Sequence, residues 1–136
     1  MLPAAEPASM EVRDAVEDDA EALARLADGP RDVLRNVIHD RTVRVAEDDD
    51  RVVAFVSFDA KPGTVYVTQI GGDPDALDRL LEEPIRFARR EEMRVELLVE
   101  EDDDAVLDVI TATGFDRIGR GPRFDDVATV RFRYSP

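Results

Sequence analysis

Residues 42–75 read TVRVAEDDDRVVAFVSFDAKPGTVYVTQIGGDPD, and this stretch decides the fold. Three segments in it alternate apolar and polar residues, which is typical of strands. The segments are Thr42–Ala46, Val52–Phe58 and Thr64–Ile70. Polar turns at 47–51 and 61–63 separate them, so we predict three antiparallel strands joined by hairpins. A helix should follow, with Asp73 as its cap and Pro74 at its first position.

The order of elements extends in both directions from this stretch. Upstream, a strand precedes two helices, of which the first begins at Asp18 or Asp19 and ends at Gly29-Pro30. Downstream, Pro84 should kink or split the long helix because it lacks an N–H group. The remaining elements are strand 10–16, helix 32–40, strand 94–99, helix 104–113, and strands 116–119 and 127–134. This order predicts an α/β fold with a central mixed, mostly antiparallel sheet of about seven strands and helices on both faces.

The composition indicates one globular domain and argues against several kinds of site. The 136 residues include 43% apolar ones, and we predict a single domain over residues 10–136 after a disordered tail at 1–9. Cysteine is absent and His39 is the single histidine, so we expect no disulfide and no metal site. No apolar run approaches the ~20 residues that span a bilayer. We therefore expect a cytoplasmic protein with no membrane partner.

Acidic residues dominate the charge of the chain. Asp and Glu number 32 against 18 basic residues, which gives a net charge of −14 spread over several segments. This balance resembles that of halophile proteins, whose carboxylates hold water and cations at high salt. The alternative is an acidic surface for basic partners. Basic stripes with interleaved aromatic residues are missing from the sequence, so we do not expect nucleic-acid binding.

Three segments carry a resemblance to a known family. They are EVRDAVEDDA at 11–20, VAEDDDRVVAF at 45–55, and ELLVEEDDDA at 96–105 followed by TGF at 113–115. Their order and spacing resemble the GNAT superfamily of acyl-CoA-dependent N-acetyltransferases over nearly all of residues 10–134. The resemblance implies the GNAT fold and transfer of an acetyl group from acetyl-CoA to a primary amine by direct attack. The acceptor would be a small-molecule or peptide amine.

The resemblance also implies where acetyl-CoA would bind. In the family the fourth and fifth strands part, here just beyond Gln69, and the cofactor lies between them. The corresponding cofactor-binding residues are Val67, Thr68, Gln69, Gly71 and Gly72. The loop at 69–76 departs from the family pattern, because it has no arginine, its proline removes an N–H donor, and its two aspartates would repel a diphosphate.

The catalytic residues are less well marked. Tyr66 and Glu100 are the candidates near the expected cleft, although the first fits a packed strand and the second a solvated turn. The family tyrosine that protonates the leaving thiolate corresponds to Ile110, which cannot donate a proton. This difference raises the alternative of a non-catalytic acyl-CoA-sensing or protein-interaction module. A homodimer is also possible, through an exposed sheet edge at 127–134.

Overall fold

The computed structural model describes residues 10–136, so the predicted tail at 1–9 lies outside the described residues. The strands are β1 (Met10–Asp14), β2 (Thr42–Asp48), β3 (Arg51–Lys61), β4 (Thr64–Gly72), β5 (Arg94–Glu100), β6 (Asp116–Arg120) and β7 (Thr129–Tyr134). The helices are α1 (Ala20–Ala27), α2 (Arg31–Asp40), α3 (Pro74–Leu80), α4 (Glu82–Glu91) and α5 (Asp104–Thr113). Within the described residues, none of the helices has the length and apolar character needed to cross a membrane.

The strands form one seven-stranded mixed sheet in the order β1-β2-β3-β4-β5-β7-β6. Every neighbouring pair is antiparallel except β4 and β5, which run parallel. The parallel pair follows from the connection through α3 and α4, because parallel neighbours need a crossover. The predicted fold class is confirmed.

Helices cover the sheet on both faces, but they cover the two faces unequally. The apolar sides of α3, α4 and α5 pack on one face, in a core that reaches from β2 to β7. The other core is smaller: Leu23 of α1 and Leu34 of α2 pack against Val43, Val45 and Phe55 of β2 and β3. Helix α1 also touches β4, but this smaller core takes no residue from β4 to β7. On that side, the stretch from β4 to β6 is therefore largely bare.

One predicted helix boundary needs correction, and the predicted break of the long helix takes the form of a split. Asp28, at φ 54°, ends α1 in the left-handed conformation, one residue before the predicted Gly29-Pro30. The long helix is split rather than kinked: α3 ends at Leu80 and α4 begins at Glu82. Pro84 falls in the first turn of α4, where a missing N–H group is tolerated because it would have no partner in the helix.

Asp19 joins two elements instead of capping α1 with its side chain. Its carboxylate accepts hydrogen bonds from Arg13 Nη1 at 2.8 Å, Arg13 Nη2 at 3.0 Å and the Val16 N–H at 2.8 Å. Burial would raise the pKa of Asp19, but the bonds from Arg13 and Val16 outweigh burial and lower it. The same bond to Asp19, with a weaker one to Glu47, raises the pKa of Arg13. This cluster fixes the 3-10 turn at Glu17–Asp19 onto β1.

The predicted free edge at 127–134 is wrong. Strand β7 pairs with β5 on one side and with β6 on the other. The edge strand is β6, and all five of its residues are exposed. Local alternation in the sequence identifies a strand, but it does not give the spatial order of the strands and so cannot show which strand lies at the edge.

Acidic residues occupy several backbone positions in the left-handed conformation. Among the described residues, six that are not glycine have positive φ, and all six are exposed aspartates or glutamates: Asp28, Asp49, Asp50, Glu92, Asp125 and Asp126. Left-handed conformations ordinarily favour glycine or asparagine. The hairpin between β2 and β3 turns through the two consecutive aspartates at 49 and 50, so the turn is tighter than predicted.

Candidate active site

The parallel strands β4 and β5 part halfway along their length. Their pairing runs from Thr64 opposite Arg94 to Val67 opposite Leu97 and then stops. Both strands continue beyond that point, to Gly72 and Glu100. The parting therefore begins at Val67 rather than beyond Gln69. From there to Gly72, β4 pairs only with β3, which leaves its second edge free of strand partners within residues 10–136.

A bulge in β4 stands at the point where the strands part. The register between β3 and β4 shifts by one residue, because Ser57 pairs with Gln69 while Phe58 pairs with Val67. Thr68 is the extra residue. Its hydroxyl donates to the Ser57 carbonyl at 3.1 Å and lies 2.9 Å from the Ser57 hydroxyl. A bulge bends its strand, and this one lies where β4 leaves β5.

A cavity of about 390 Å³ lies where the strands part, and we call it the β4–β5 cleft. Its lining residues are Tyr66, Val67, Thr68, Glu96, Leu97, Leu98 and Arg131. The Tyr66 side is the bare face of the sheet, since Tyr66 and Leu98 remain 40% and 37% exposed. Val67 and Leu97 instead belong to the core beneath α3, α4 and α5. The cleft is thus open to solvent on the bare face.

Glu96 is the half-buried carboxylate of the cleft. Its Oε2 accepts hydrogen bonds from Arg133 Nε at 3.0 Å and Nη2 at 2.8 Å. Its Oε1 has no hydrogen-bond partner among the described residues. Tyr66 lies beside Glu96 in register on β4. The arrangement holds one carboxylate oxygen in place and leaves the other available to a donor such as an amine.

The structure separates the predicted catalytic residues. Tyr66 lines the cleft, whereas Glu100 is exposed at the end of β5, outside the lining. Ile110 is completely buried in the larger core, so no proton donor stands at the position of the family tyrosine. Sequence reasoning missed Arg131 and Arg133. The alternation of β7 could have revealed them, because Val130 and Phe132 point into the core and place the arginines on the bare face.

The start of α3 offers no N–H group to an anion. Asp73 N donates to the Val53 carbonyl at 2.9 Å, and Asp75 N donates to Asp73 Oδ1 at 3.0 Å. Ala76 and Leu77 both donate to the Asp73 carbonyl at 3.0 Å, and the intervening residue is a proline. The predicted cap and first helical position are both confirmed. Every N–H group from 73 to 77 therefore has an acceptor within the chain.

Gly71 and Gly72 are packed against the fold itself. A Cβ on Gly72 would lie 2.3 Å from the Val53 carbonyl oxygen, and its φ is +109°. A Cβ on Gly71 would lie 2.8 Å from the Phe55 ring and 3.1 Å from the Leu26 carbonyl oxygen. These contacts are with β3 and α1. Packing is sufficient to require glycine at both positions, without any bound molecule.

The surface around the start of α3 is strongly acidic. A groove of about 1130 Å³, which we call the acidic groove, lies between α3, α5 and the turn joining β2 to β3. Seven carboxylates and one arginine line it: Asp48, Asp49, Asp73, Asp75, Asp78, Glu82, Asp108 and Arg79. Such a surface repels phosphate groups at low ionic strength.

The two ends of an acyl-CoA molecule would therefore meet different surroundings. The free edge of β4 suits the amide groups of the pantetheine arm, which can pair with it as an added strand would. The diphosphate does not fit the start of α3, because the N–H groups there are used and carboxylates surround them. The residues present thus suit the thioester arm but not the nucleotide.

Comparison with known proteins shows which solved structures share this fold. No protein-family model matches the sequence, and no curated protein matches it. Among solved structures, Ard1 from Thermoplasma volcanium is similar with a TM-score of 0.82 at 15% identity, over 93% of this chain and 97% of that one. The putative acetyltransferase yncA from Salmonella typhimurium, solved with acetyl-CoA, has a TM-score of 0.75 at 16% identity, over 93% and 94%. A putative GNAT-family acetyltransferase from Desulfovibrio desulfuricans has a TM-score of 0.74 at 16% identity, over 93% and 98%. The chain therefore has the fold of the GNAT acetyltransferases.

Proposed function

We propose that this chain is an acyltransferase that holds an acyl thioester, such as acetyl-CoA, in the β4–β5 cleft and passes the acyl group to an amine. The parting of β4 and β5 at Val67 and Leu97 carries the proposal. It provides free backbone along β4 and a cavity at the same place. Both are features that a thioester on an extended, amide-bearing arm requires.

The rate of this reaction should depend mainly on holding the amine beside the thioester, and less on a strong acid or base. In direct transfer the amine nitrogen bonds to the thioester carbonyl carbon, the C–S bond breaks, and the thiolate takes up the proton that the amine loses. Holding the two reactants together supplies much of the rate enhancement. We assign Glu96 to orient the amine through Oε1, while Arg133 keeps the carboxylate in position through Oε2.

The acceptor reaches the cleft from the bare face of the sheet. No helix of the smaller core covers that part of the face, so a small amine or the end of a peptide has access. Tyr66 and Leu98 offer apolar surface to the body of the acceptor. Arg131 has no hydrogen bond or ion pair among residues 10–136 and offers a positive charge beside the cleft. The acceptor is thus an amine with an apolar or anionic neighbouring group.

Release of free thiol from S-acetyl donors tests the proposal directly. The chain has no cysteine, so a thiol reagent reports only the product thiol. Assays with a panel of amino acids, polyamines and peptides in molar KCl should identify an acceptor. Glu96→Gln should then lower kcat/KM by at least about tenfold, since a positioned carboxylate typically contributes more than that.

The control is Glu101→Gln, which removes the same charge from the exposed turn after β5 and should change kcat/KM less than about twofold. Donor binding without thiol release from any amine would refute transferase activity.

The competing function is a non-catalytic module. The complete burial of Ile110, where the family places a proton donor, favours it. A chain that binds the thioester and transfers nothing would be an acyl-thioester sensor. A chain that binds neither thioester nor amine would be a protein-interaction domain.

A further inference from the structure

We infer that this chain recognises its donor by the acyl-pantetheine arm alone, so that thioesters without a nucleotide serve as donors as well as acetyl-CoA does. The inference rests on the proposed function and concerns the donor class of the same site. Its basis is a difference between the two ends of acyl-CoA. The residues present can accommodate the thioester end, but they do not fit the nucleotide end.

The backbone at the start of α3 is already saturated. A site for a diphosphate needs free N–H groups that point at the anion. Here the donors of Asp73, Asp75, Ala76 and Leu77 all have acceptors 2.9 to 3.0 Å away. Binding an anion there would require breaking these bonds and unwinding the first turn of a helix that has only seven residues.

The glycines cannot open the site. A Cβ on Gly72 would lie 2.3 Å from the Val53 carbonyl oxygen, and a Cβ on Gly71 would lie 2.8 Å from the Phe55 ring of β3 and 3.1 Å from the Leu26 carbonyl oxygen of α1. The backbone therefore cannot move toward β3 to make room for a diphosphate. Gly71 and Gly72 also pair with Phe55 and Ala54 of β3, which further fixes the backbone there.

The negative charges of the acidic groove also disfavour binding of the nucleotide. Asp75 and Asp78 on α3 face the groove, and among residues 10–136 Arg79 is the one basic residue that lines it. At low salt this surface weakens binding of a molecule with several phosphate charges and leaves a neutral arm unaffected. At about 1 M salt the Debye length falls to about 3 Å, so most of the difference should disappear.

Calorimetric titration of S-acetylpantetheine and acetyl-CoA against the whole chain tests the inference. At about 0.05 M KCl we expect S-acetylpantetheine to bind up to about tenfold more tightly. At about 2 M KCl the two dissociation constants should agree within about threefold. Acetyl-CoA binding tenfold or more tightly at high salt would overturn the inference and leave the proposed function standing. If neither donor binds, both fail.

A charge variant separates local repulsion from net charge. The double variant Asp75→Asn and Asp78→Asn should tighten acetyl-CoA binding several-fold at low salt and leave S-acetylpantetheine unchanged. The control, Glu21→Gln with Asp40→Asn, removes the same charge from α1 and α2 on the other face and should move neither constant by more than about twofold. Equal tightening by both variants would overturn the role of the acidic groove.

Discussion

Gly72→Ala tests whether packing or a ligand requires the glycine at the start of the α3 loop. The new Cβ would lie 2.3 Å from the Val53 carbonyl oxygen and 2.5 Å from the Ala54 Cα, both backbone atoms, in a residue with φ +109°. Positive φ costs a non-glycine residue about 1–2 kcal/mol. Overpacking against backbone adds about 1–3 kcal/mol. We expect the free energy of unfolding to fall by about 2–5 kcal/mol, a large part of the usual total.

Gly63→Ala is the matched control for this experiment. Gly63 also has positive φ, at +79°, but a Cβ there would meet no atom within 4 Å. Its cost should be the backbone strain alone, about 1–2 kcal/mol. The difference of about 2 kcal/mol corresponds to roughly 1 M in the urea midpoint for a small domain.

Urea unfolding followed by circular dichroism in molar KCl measures both variants. If Gly72→Ala and Gly63→Ala unfold at the same midpoint, the packing argument is refuted. A Gly72→Ala protein that keeps its stability but loses acetyl-CoA binding would instead show that the glycine serves the cofactor.

Three further changes probe the rest of the structure. Asp19→Asn should lower the free energy of unfolding at pH 7 by about 2 kcal/mol, because it weakens charged bonds to Arg13. The native pKa of Asp19 lies below its ordinary value, so the wild type loses this contribution as the pH falls below about 4. The variant has no carboxylate to protonate at this position, so its free energy of unfolding should fall less in urea titrations at acid pH. Thr68→Val removes the bonds to Ser57 and should cost about 1–2 kcal/mol in urea unfolding; an unchanged midpoint would mean that they do not stabilise the bulge. Ile110→Tyr should lower the thermal midpoint through overpacking and give no faster thiol release, whereas a rate increase would show that the site has room for a proton donor.

The order of elements could be predicted from the sequence because each element leaves a local signal. Alternation in 42–70 identifies three strands, and Asp73-Pro74 identifies the start of α3, as the structure confirms. These signals depend only on the side chains of neighbouring residues and on which of them seek the core. The spatial position of β7 between β5 and β6 depends on distant segments, so local patterns do not identify the edge strand.

The site was less predictable, for a different physical reason. A single bulge at Thr68 marks where β4 leaves β5, and threonine in a strand carries no sign of a bulge. Gly71 and Gly72 fit a ligand-binding loop and a close backbone contact equally well, because both need a residue without Cβ. Only coordinates show that Val53 and Phe55 occupy that space.

The acidic residues at left-handed positions can be replaced to reduce the negative net charge of this chain with little change in its stability. Substitution by glycine at any of the six positions would relieve about 1 kcal/mol of backbone strain. The unfolded chain would gain conformational freedom worth a similar amount, so each substitution should leave the free energy of unfolding nearly unchanged. Making all six would take the charge from −14 to −8, since six negative charges are removed from exposed sites outside both cores. Substitutions in these turns thus offer a graded series of variants with decreasing negative charge, in which any dependence of folding stability on salt can be compared with the net charge.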